Sequence, residues 1–194
     1  MRKRPKPGER RVQILQTLAS MLQQPGADRI TTAALAAQLQ VSEAALYRHF
    51  ASKAQMFEGL IEFIESSVFT LINQILEREP VPTLQVHRMA SVLLQFGEKN
   101  PGMARVMVGD ALVFEHDRLA LRMNQFFDRL ESQLRQSLRA AAEAAGSSTP
   151  TVDAQAMASA ITALLIGRLQ RFSRSGFKRL PTEHLEPALQ RLVG

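Results

Sequence analysis

The residues best suited to binding chemistry lie between Glu43 and His49, where carboxylate, phenol, guanidinium and imidazole groups share one short run. On a helix, Leu46 and Phe50 would face inward, and the outward set would be Glu43, Ala44, Ala45, Tyr47, Arg48 and His49. Arginine and histidine can donate hydrogen bonds to base edges or phosphates, and small side chains permit close approach to base methyl groups. Such a set fits the major groove of DNA, and Lys53 follows on the next helix.

Two short helices joined by a tight turn would position this set, over the stretch Ile30 to Phe50 (ITTAALAAQLQVSEAALYRHF). Thr31 stands where its hydroxyl can cap the first helix. Ser42 can cap the second by accepting a hydrogen bond from a backbone N–H near Ala44 or Ala45. The inward residues would be Leu35, Ala36 and Leu39, with Val41 filling the turn. The spacing predicts a helix-turn-helix, with an ordinary helical hairpin inside an all-α domain as the alternative.

Three runs between Thr31 and Phe57 resemble the DNA-binding head of TetR-type regulators: T-T-x-x-L-A, V-S-x-x-x-L-Y-x-H-F and S-K-x-x-M-F. The resemblance implies an all-α, TetR-like fold, with an N-terminal helix-turn-helix head (8–66) on a larger helical dimerisation body (67–194). It implies a homodimer that binds a palindromic site in double-stranded DNA. The implied DNA-binding residues are Thr31 and Thr32 as cap and phosphate contacts, Ser42 as cap, Tyr47 and Lys53 on the backbone, and Glu43, Ala44, Ala45, Arg48 and His49 facing bases.

Positive charge is concentrated at the N-terminus, where residues 1–11 hold six Lys or Arg against Glu9 alone, in a chain of net charge +6. Pro5, Pro7 and Gly8 favour a flexible arm, and such arms follow the DNA backbone or enter a minor groove. The alternative is a solvated, disordered tail. Because no apolar segment follows, we expect no signal peptide.

A chain of 194 residues is long enough to form either one large helical domain or a small head fused to a larger body. The chain has no cysteine, which excludes disulfides and thiolate metal sites and is compatible with a reducing cytoplasm. No uncharged apolar run approaches the roughly 20 residues of a membrane-spanning helix, so we expect none.

Catalytic motifs are absent from the sequence: it has no phosphate-binding glycine loop, no nucleophile elbow and no metal-spaced histidine pair. The densest polar cluster is Glu115, His116 and Asp117, but consecutive residues point in different directions and are poorly placed to close on one ion. We interpret this cluster as a solvated helix start. We therefore predict no enzyme, no cofactor and no metal.

Helical periodicity continues through the rest of the chain, with no strand-like alternation and no internal repeat. The expected first helix, about Glu9 to Gln24, has an apolar stripe of Val12, Leu15, Leu18, Ala19 and Leu22. The fourth helix, Ser52 to about Arg78, has a stripe of Phe57, Leu60, Ile61, Ile64, Val68, Leu71, Ile72 and Ile75. Further helices are expected over 83–99, 103–113, 116–145 and 152–177, with a last short one starting near Pro181.

Two apolar residues fall outside these stripes. Phe63 lies roughly 120° from the centre of the fourth helix's stripe, and Val92 lies about as far from that of the fifth. Gln95 and Lys99 share the side of Val92. A second uncharged face often binds something. The alternative is that Phe63 meets another helix of the same body.

Three longer stretches, at 44–65, 96–127 and 171–182, resemble the nucleoid occlusion factors, TetR-type proteins that antagonise polymerisation of the tubulin-like division protein FtsZ. This resemblance implies a cytoplasmic, nucleoid-associated dimer that binds chromosomal sites. It implies that the C-terminal tail of FtsZ lies between the fourth and fifth helices, on Phe63, Val92, Gln95, Lys99 and Asn100. The alternative is a ligand-responsive TetR-type repressor whose body binds a small apolar effector.

Overall fold

The structure, a computed structural model, describes residues 8–24 and 29–193, and its regular elements are helical, as the periodicity predicted. The helices are α1 Glu9–Leu22, α2 Thr32–Leu39, α3 Glu43–Tyr47, α4 Lys53–Arg78, α5 Pro82–Lys99, α6 Pro101–Met107, α7 Asp117–Ala144, α8 Pro150–Arg174 and α9 Leu185–Val193. A short 3-10 turn, Asp110–Leu112, precedes α7. Most of the basic N-terminal arm, residues 1–7, lies outside the described residues, as do Pro25 and Gly26.

Helix starts follow local chemistry. Pro82, Pro101 and Pro150 begin α5, α6 and α8. Proline suits this position because its missing N–H would have no partner in the first turn and its fixed φ is already helical. Helix α5 therefore begins one residue earlier than expected, and α8 begins two residues earlier. At α7, His116 acts as the cap, since its Nδ1 accepts a hydrogen bond from the backbone N–H of Arg118 at 3.3 Å.

The N-terminal head consists of α1, α2, α3 and the first turns of α4. The buried residues of α1 are Ile14, Leu18 and Leu22, at i, i+4 and i+8. The expected stripe was therefore wrong at Val12, which is 52% exposed. Two residues from Ile14 is about 200° around the helix, so Val12 faces solvent.

Helix α4 extends from the head into the body without a break. Most of its expected stripe is buried, but Ile75 is only half-buried. Leu71 is 44% exposed and was wrongly assigned to the core. Three residues outside the expected stripe are buried as well: Met56, Gly59 and Phe69. Leu71 lies about 100° around the helix from the fully buried Ile72. Phe69, on the other flank, is buried edge-on against Phe126 of α7, with ring centroids 5.2 Å apart.

The body is built on the antiparallel pair α7 and α8, with α5 packed against both and α9 against α5. Helix α6 connects the body to the head. A Cβ at Gly102 would lie 2.2 Å from the carbonyl oxygen of Ala19, so only glycine permits this approach of α6 to α1. The expected helix over 103–113 was too long: it ends at Met107, because Gly109 adopts a positive φ of 82°.

By length and composition alone, α4 and α8 could each span a membrane. Both bury an apolar stripe inside the bundle, and α4 also forms ion pairs with α7. Long core helices of globular bundles have the same apolar composition, because one face must be buried.

Candidate nucleic-acid interface and partner groove

Helix α3, which is called the recognition helix below because its exposed residues were predicted to face DNA, is capped at its start and anchored by buried side chains at its end. Ser42, in extended conformation, accepts a hydrogen bond from the N–H of Ala45 at 3.3 Å, which confirms the expected cap. Leu46 and Phe50 are buried. Of the predicted outward set, Ala45 is half-buried. The other members are exposed: Glu43, Ala44, Tyr47, Arg48 and His49. The structure therefore presents this set on one surface of the head.

Helix α2 contributes two threonines with different partners. The Thr31 hydroxyl accepts from the N–H of Ala34 at 3.1 Å and caps α2, as expected. The hydroxyl of Thr32 donates to Glu43 Oε2 at 2.6 Å, so it orients a residue of α3 that was predicted to face bases. The expected phosphate contact of Thr32 would have to coexist with this hydrogen bond or replace it.

Arg11 of α1 is a residue of this site that the periodicity did not identify. Its guanidinium donates from Nη1 to the carbonyl oxygen of His49 at 3.2 Å and lies 4.2 Å from the ring centroid of Phe50. It therefore holds the turn that follows α3. The basic run at the N-terminus drew attention to this part of the chain. Nothing in the sequence indicated that Arg11 would bind the carbonyl oxygen of His49.

Lys53 begins α4, behind the cap Ser52, which accepts from the N–H of Gln55 at 3.2 Å. Its ammonium forms an ion pair with Glu115, and the two side chains are 25% and 9% exposed. The sequence predicted that Lys53 contacts the DNA backbone, but it did not indicate that Glu115 binds the same ammonium. Glu115 belongs to the cluster interpreted as a solvated helix start, and for Glu115 that interpretation was wrong.

The second predicted site is the surface where α4 and α5 meet around Phe63, Val92 and Phe96, which is called the groove below. Phe63 is 49% exposed, and its ring lies 6.0 Å from that of Phe96 at an interplanar angle of 45°. Val92 and Phe96 are half-buried against the core. The off-stripe geometry of Phe63 is thus confirmed, and the ring contact shows that Phe63 also meets another helix of the body, as the alternative expected. Phe96, four residues after Val92, was missed although helical spacing puts it on the same side.

The polar end of the groove is formed by the junction of α5 and α6. Gln95 and Lys99 are exposed. The side-chain amide of Asn100 donates from Nδ2 to the carbonyl oxygen of Phe96 at 2.8 Å, which covers one of the last carbonyls of α5. Asn100 has a further amide hydrogen and an acceptor oxygen, so this bond leaves hydrogen-bonding capacity for a ligand.

Helix α7 covers the opposite flank of α4. Arg118 pairs with Glu58 at 2.8 Å, and Arg122 binds Glu65 through two hydrogen bonds of 3.0 and 2.5 Å. The hydrogen bond to Glu65 is the main cause of a raised pKa for Arg122, so this guanidinium stays charged. These pairs engage the acidic flank of α4 and leave the side of Phe63 open.

No cluster of three or more His, Asp or Glu residues that could hold a metal ion occurs in the described ranges 8–24 and 29–193. In the acidic cluster 115–117, Glu115 binds Lys53 and His116 caps α7, so these two side chains have structural roles.

The head and fold define a class of protein. The family model described as "Bacterial regulatory proteins, tetR family" matches residues 14–60. A solved structure with the same fold is the TetR family transcriptional regulator PfmR from Thermus thermophilus, with a TM-score of 0.74 and 22% identity over 93% of this chain and 96% of that one. The chain thus has the arrangement of TetR-type proteins, a helix-turn-helix head on a helical body.

The body identifies the group within that class. The SlmA-like family model, described as "Tetracyclin repressor-like, C-terminal domain", matches residues 82–193. The nucleoid occlusion factor SlmA of Photobacterium profundum is 52% identical over 91% of this chain and 90% of its own length. That of Idiomarina loihiensis is 50% identical over 93% and 92%. The chain belongs to the SlmA family of nucleoid occlusion factors. This membership and the TetR-like fold support DNA binding and dimer formation.

Proposed function

We propose that the protein binds palindromic chromosomal sites as a homodimer and, from there, antagonises assembly of FtsZ by binding its C-terminal tail. The observation that carries this proposal is the presence of two separate exposed surfaces that one continuous helix, α4, connects. One is the recognition surface of the head, beside Lys53, and the other is the groove at Phe63. The protein would act in the cytoplasm, on the nucleoid.

In the head (8–66), the proposed roles follow from side-chain chemistry. Tyr47 and Lys53 would contact the DNA backbone, and Thr32 would approach it beside Glu43. Arg48 and His49 can donate to base edges, whereas the Glu43 carboxylate can only accept, as from a cytosine amino group. The alanines at 44 and 45 would pack against base methyl groups. The family supports this assignment, and the exposure of Glu43, Ala44, Tyr47, Arg48 and His49 is compatible with it. The other three residues are half-buried: Thr32, Ala45 and Lys53.

In the body (67–194), we propose that α7 and α8 form the dimer interface. The outward face of α8 contains small residues that would permit close approach of two helices: Ala156, Ser159, Ala160 and Ala163. One helix-turn-helix buries only about 600 to 1,000 Å² on DNA, so two half-sites provide the affinity and specificity that one lacks. The proposed DNA site is accordingly a palindrome.

The groove would bind the FtsZ tail as a peptide. The rings of Phe63 and Phe96 with Val92 supply an apolar floor, and Gln95, Lys99 and Asn100 supply polar groups at one end. An extended or helical peptide can place apolar side chains on such a floor. The ammonium of Lys99 and the remaining amide hydrogen of Asn100 can bind its carboxylate or backbone carbonyl groups.

The alternative of a repressor controlled by a small apolar effector has less support. Such an effector would need an enclosed cavity within the body, whereas the clefts beside α8 are open to solvent and aromatic side chains fill the contact between α4 and α7. Phe69, Phe126 and Phe127 are buried there in two edge-to-face contacts, with ring centroids 5.2 and 5.1 Å apart.

The test is co-sedimentation of FtsZ polymers with this protein, with and without duplex DNA containing a site selected from random sequence. We expect loss of polymer to be strongest when protein and DNA are both present. Unchanged polymer in the presence of saturating protein and DNA would reject the proposed action on FtsZ. Release of the DNA by a small apolar molecule would favour the alternative.

A further inference from the structure

Glu115 forms the ion pair with Lys53 across the junction of head and body. The two residues are 62 positions apart in sequence, and Glu115 is the more buried, with 9% of its side chain exposed against 25% for Lys53. The Lys53 ammonium also lies 5.7 Å from the ring centroid of Phe57. A carboxylate so poorly solvated needs a cationic partner, because burial without one is costly.

The segment that carries Glu115 is fixed to both parts of the molecule. The backbone N–H of Glu115 donates to the carbonyl oxygen of Leu112 at 2.9 Å, and the next residue, His116, caps α7. In the same segment, the ring of Phe114 lies 6.0 Å from the guanidinium of Arg29 in the head. The contacts of residues 114–116 therefore connect the start of α7 to the head.

Lys53 belongs to the first of three ion pairs that join α4 to α7 or to the turn just before α7. Of the three pairs, it is the one nearest to the recognition helix. In the next two pairs, Glu58–Arg118 and Glu65–Arg122, the carboxylate is on α4 and the cation is on α7. A phosphate that approaches the head would meet the ammonium of Lys53 already bound to a carboxylate. An ammonium has three donors and could touch both anions, but the two negative charges repel each other.

We propose that Glu115 is a positioning residue that holds Lys53 against the body in the absence of DNA and competes with a DNA phosphate for its ammonium. DNA binding would then weaken the link between the head and the start of α7. This inference rests on the proposed DNA binding by Lys53, and it adds an internal acidic competitor to that contact.

The test compares DNA affinities by fluorescence anisotropy, with a labelled duplex of arbitrary sequence, since phosphate contacts do not depend on sequence. Glu115→Gln keeps the size of the side chain and removes its charge. We expect it to tighten binding by about two- to fivefold per head, because the Lys53 end of the pair is accessible to solvent, which weakens the pair toward the strength of a surface ion pair. Glu58→Gln is the matched control, because it removes one negative charge from a neighbouring α4–α7 pair that contains no head lysine.

A double-mutant cycle with Lys53→Ala separates competition for the lysine from a general charge effect. Glu115→Gln should lose its gain in affinity when Lys53 is absent, whereas a general effect of net charge would persist. Equal gains for Glu115→Gln and Glu58→Gln, or a gain that survives in the Lys53→Ala background, would overturn the proposal. So would unchanged affinity of Glu115→Gln.

Amide hydrogen exchange gives a readout that does not depend on these variants. In the wild-type protein, saturation with the duplex should increase exchange in the first turn of α7, after Glu115, because its link to the head is weakened. Unchanged or slower exchange there would contradict the proposal. If the wild-type protein failed to bind any duplex, the proposed DNA binding itself would be wrong, and the two failures are thus distinguishable.

Discussion

The recognition surface of the head and the groove between α4 and α5 differ in how their residues are held before any ligand arrives. In the head, Glu43 is bound by Thr32 and Lys53 by Glu115, so polar partners inside the protein must be kept or exchanged on binding. In the groove, Phe63 is half exposed beside Phe96, and a ligand would gain by covering apolar surface. The affinity of the head for its ligand should therefore depend on salt concentration. The affinity of the groove should depend mainly on the apolar contact area, so it should fall when an aromatic side chain is removed.

Two phenylalanines give the sharpest contrast between groove and core. Phe126→Ala should lower the free energy of unfolding by about 3 to 5 kcal/mol, because its ring is buried against Phe69 and Phe127. Phe63→Ala should lower it by less than about 1 kcal/mol, since half of its side chain is exposed already. Urea denaturation monitored by circular dichroism measures both, and similar losses would mean that Phe63 is a core residue.

Tyr47 tests the chemistry of the head. Removal of its hydroxyl in Tyr47→Phe should weaken binding to all duplexes by about tenfold or more per half-site, as the loss of a hydrogen bond to a charged phosphate does. Thr70→Ala, on the groove side of α4, is the control and should leave DNA affinity unchanged. If Tyr47→Phe bound DNA as the wild type does, the phenol would not be a phosphate ligand.

Thr32 should have the smallest effect. Thr32→Val keeps the shape of the side chain but removes the hydrogen bond to Glu43, so the carboxylate loses its fixed orientation. We expect overall affinity to change by no more than about threefold, because this is one exposed hydrogen bond. The preference at one base pair of each half-site should relax. Selection from a random duplex pool, compared with that for the wild type, would detect this, and an identical selected site would argue against it.

Local spacing predicted the elements and several of their details. The caps Thr31 and Ser42 follow from residue type next to an apolar period, and the displacement of Phe63 follows from counting around a helix. The bonds Thr32–Glu43, Arg11–His49 and Lys53–Glu115 could not be predicted in this way. Each joins residues on different elements, and their meeting depends on how those elements pack.

The errors have a common physical origin as well. Val12 and Leu71 were assigned to the core because they are apolar and helically spaced from other apolar residues. The buried face of α1 is centred on Ile14 instead, which puts Val12 on the far side, and Leu71 lies beside the buried face of α4. The end of α6 depended on the conformation of Gly109, whose positive φ a pattern of apolar residues does not reveal.

The central claim is that the head and the groove are separate binding surfaces on one protein, and sedimentation of FtsZ polymers with Phe63→Ala and a selected duplex tests it most directly. Loss of an aromatic anchor at the centre of an interface usually weakens binding by about thirtyfold. We therefore expect Phe63→Ala to bind DNA and form dimers like the wild type, yet to leave the FtsZ polymers in the pellet. A Phe63→Ala protein that disassembles the polymers as well as the wild type does would contradict the account.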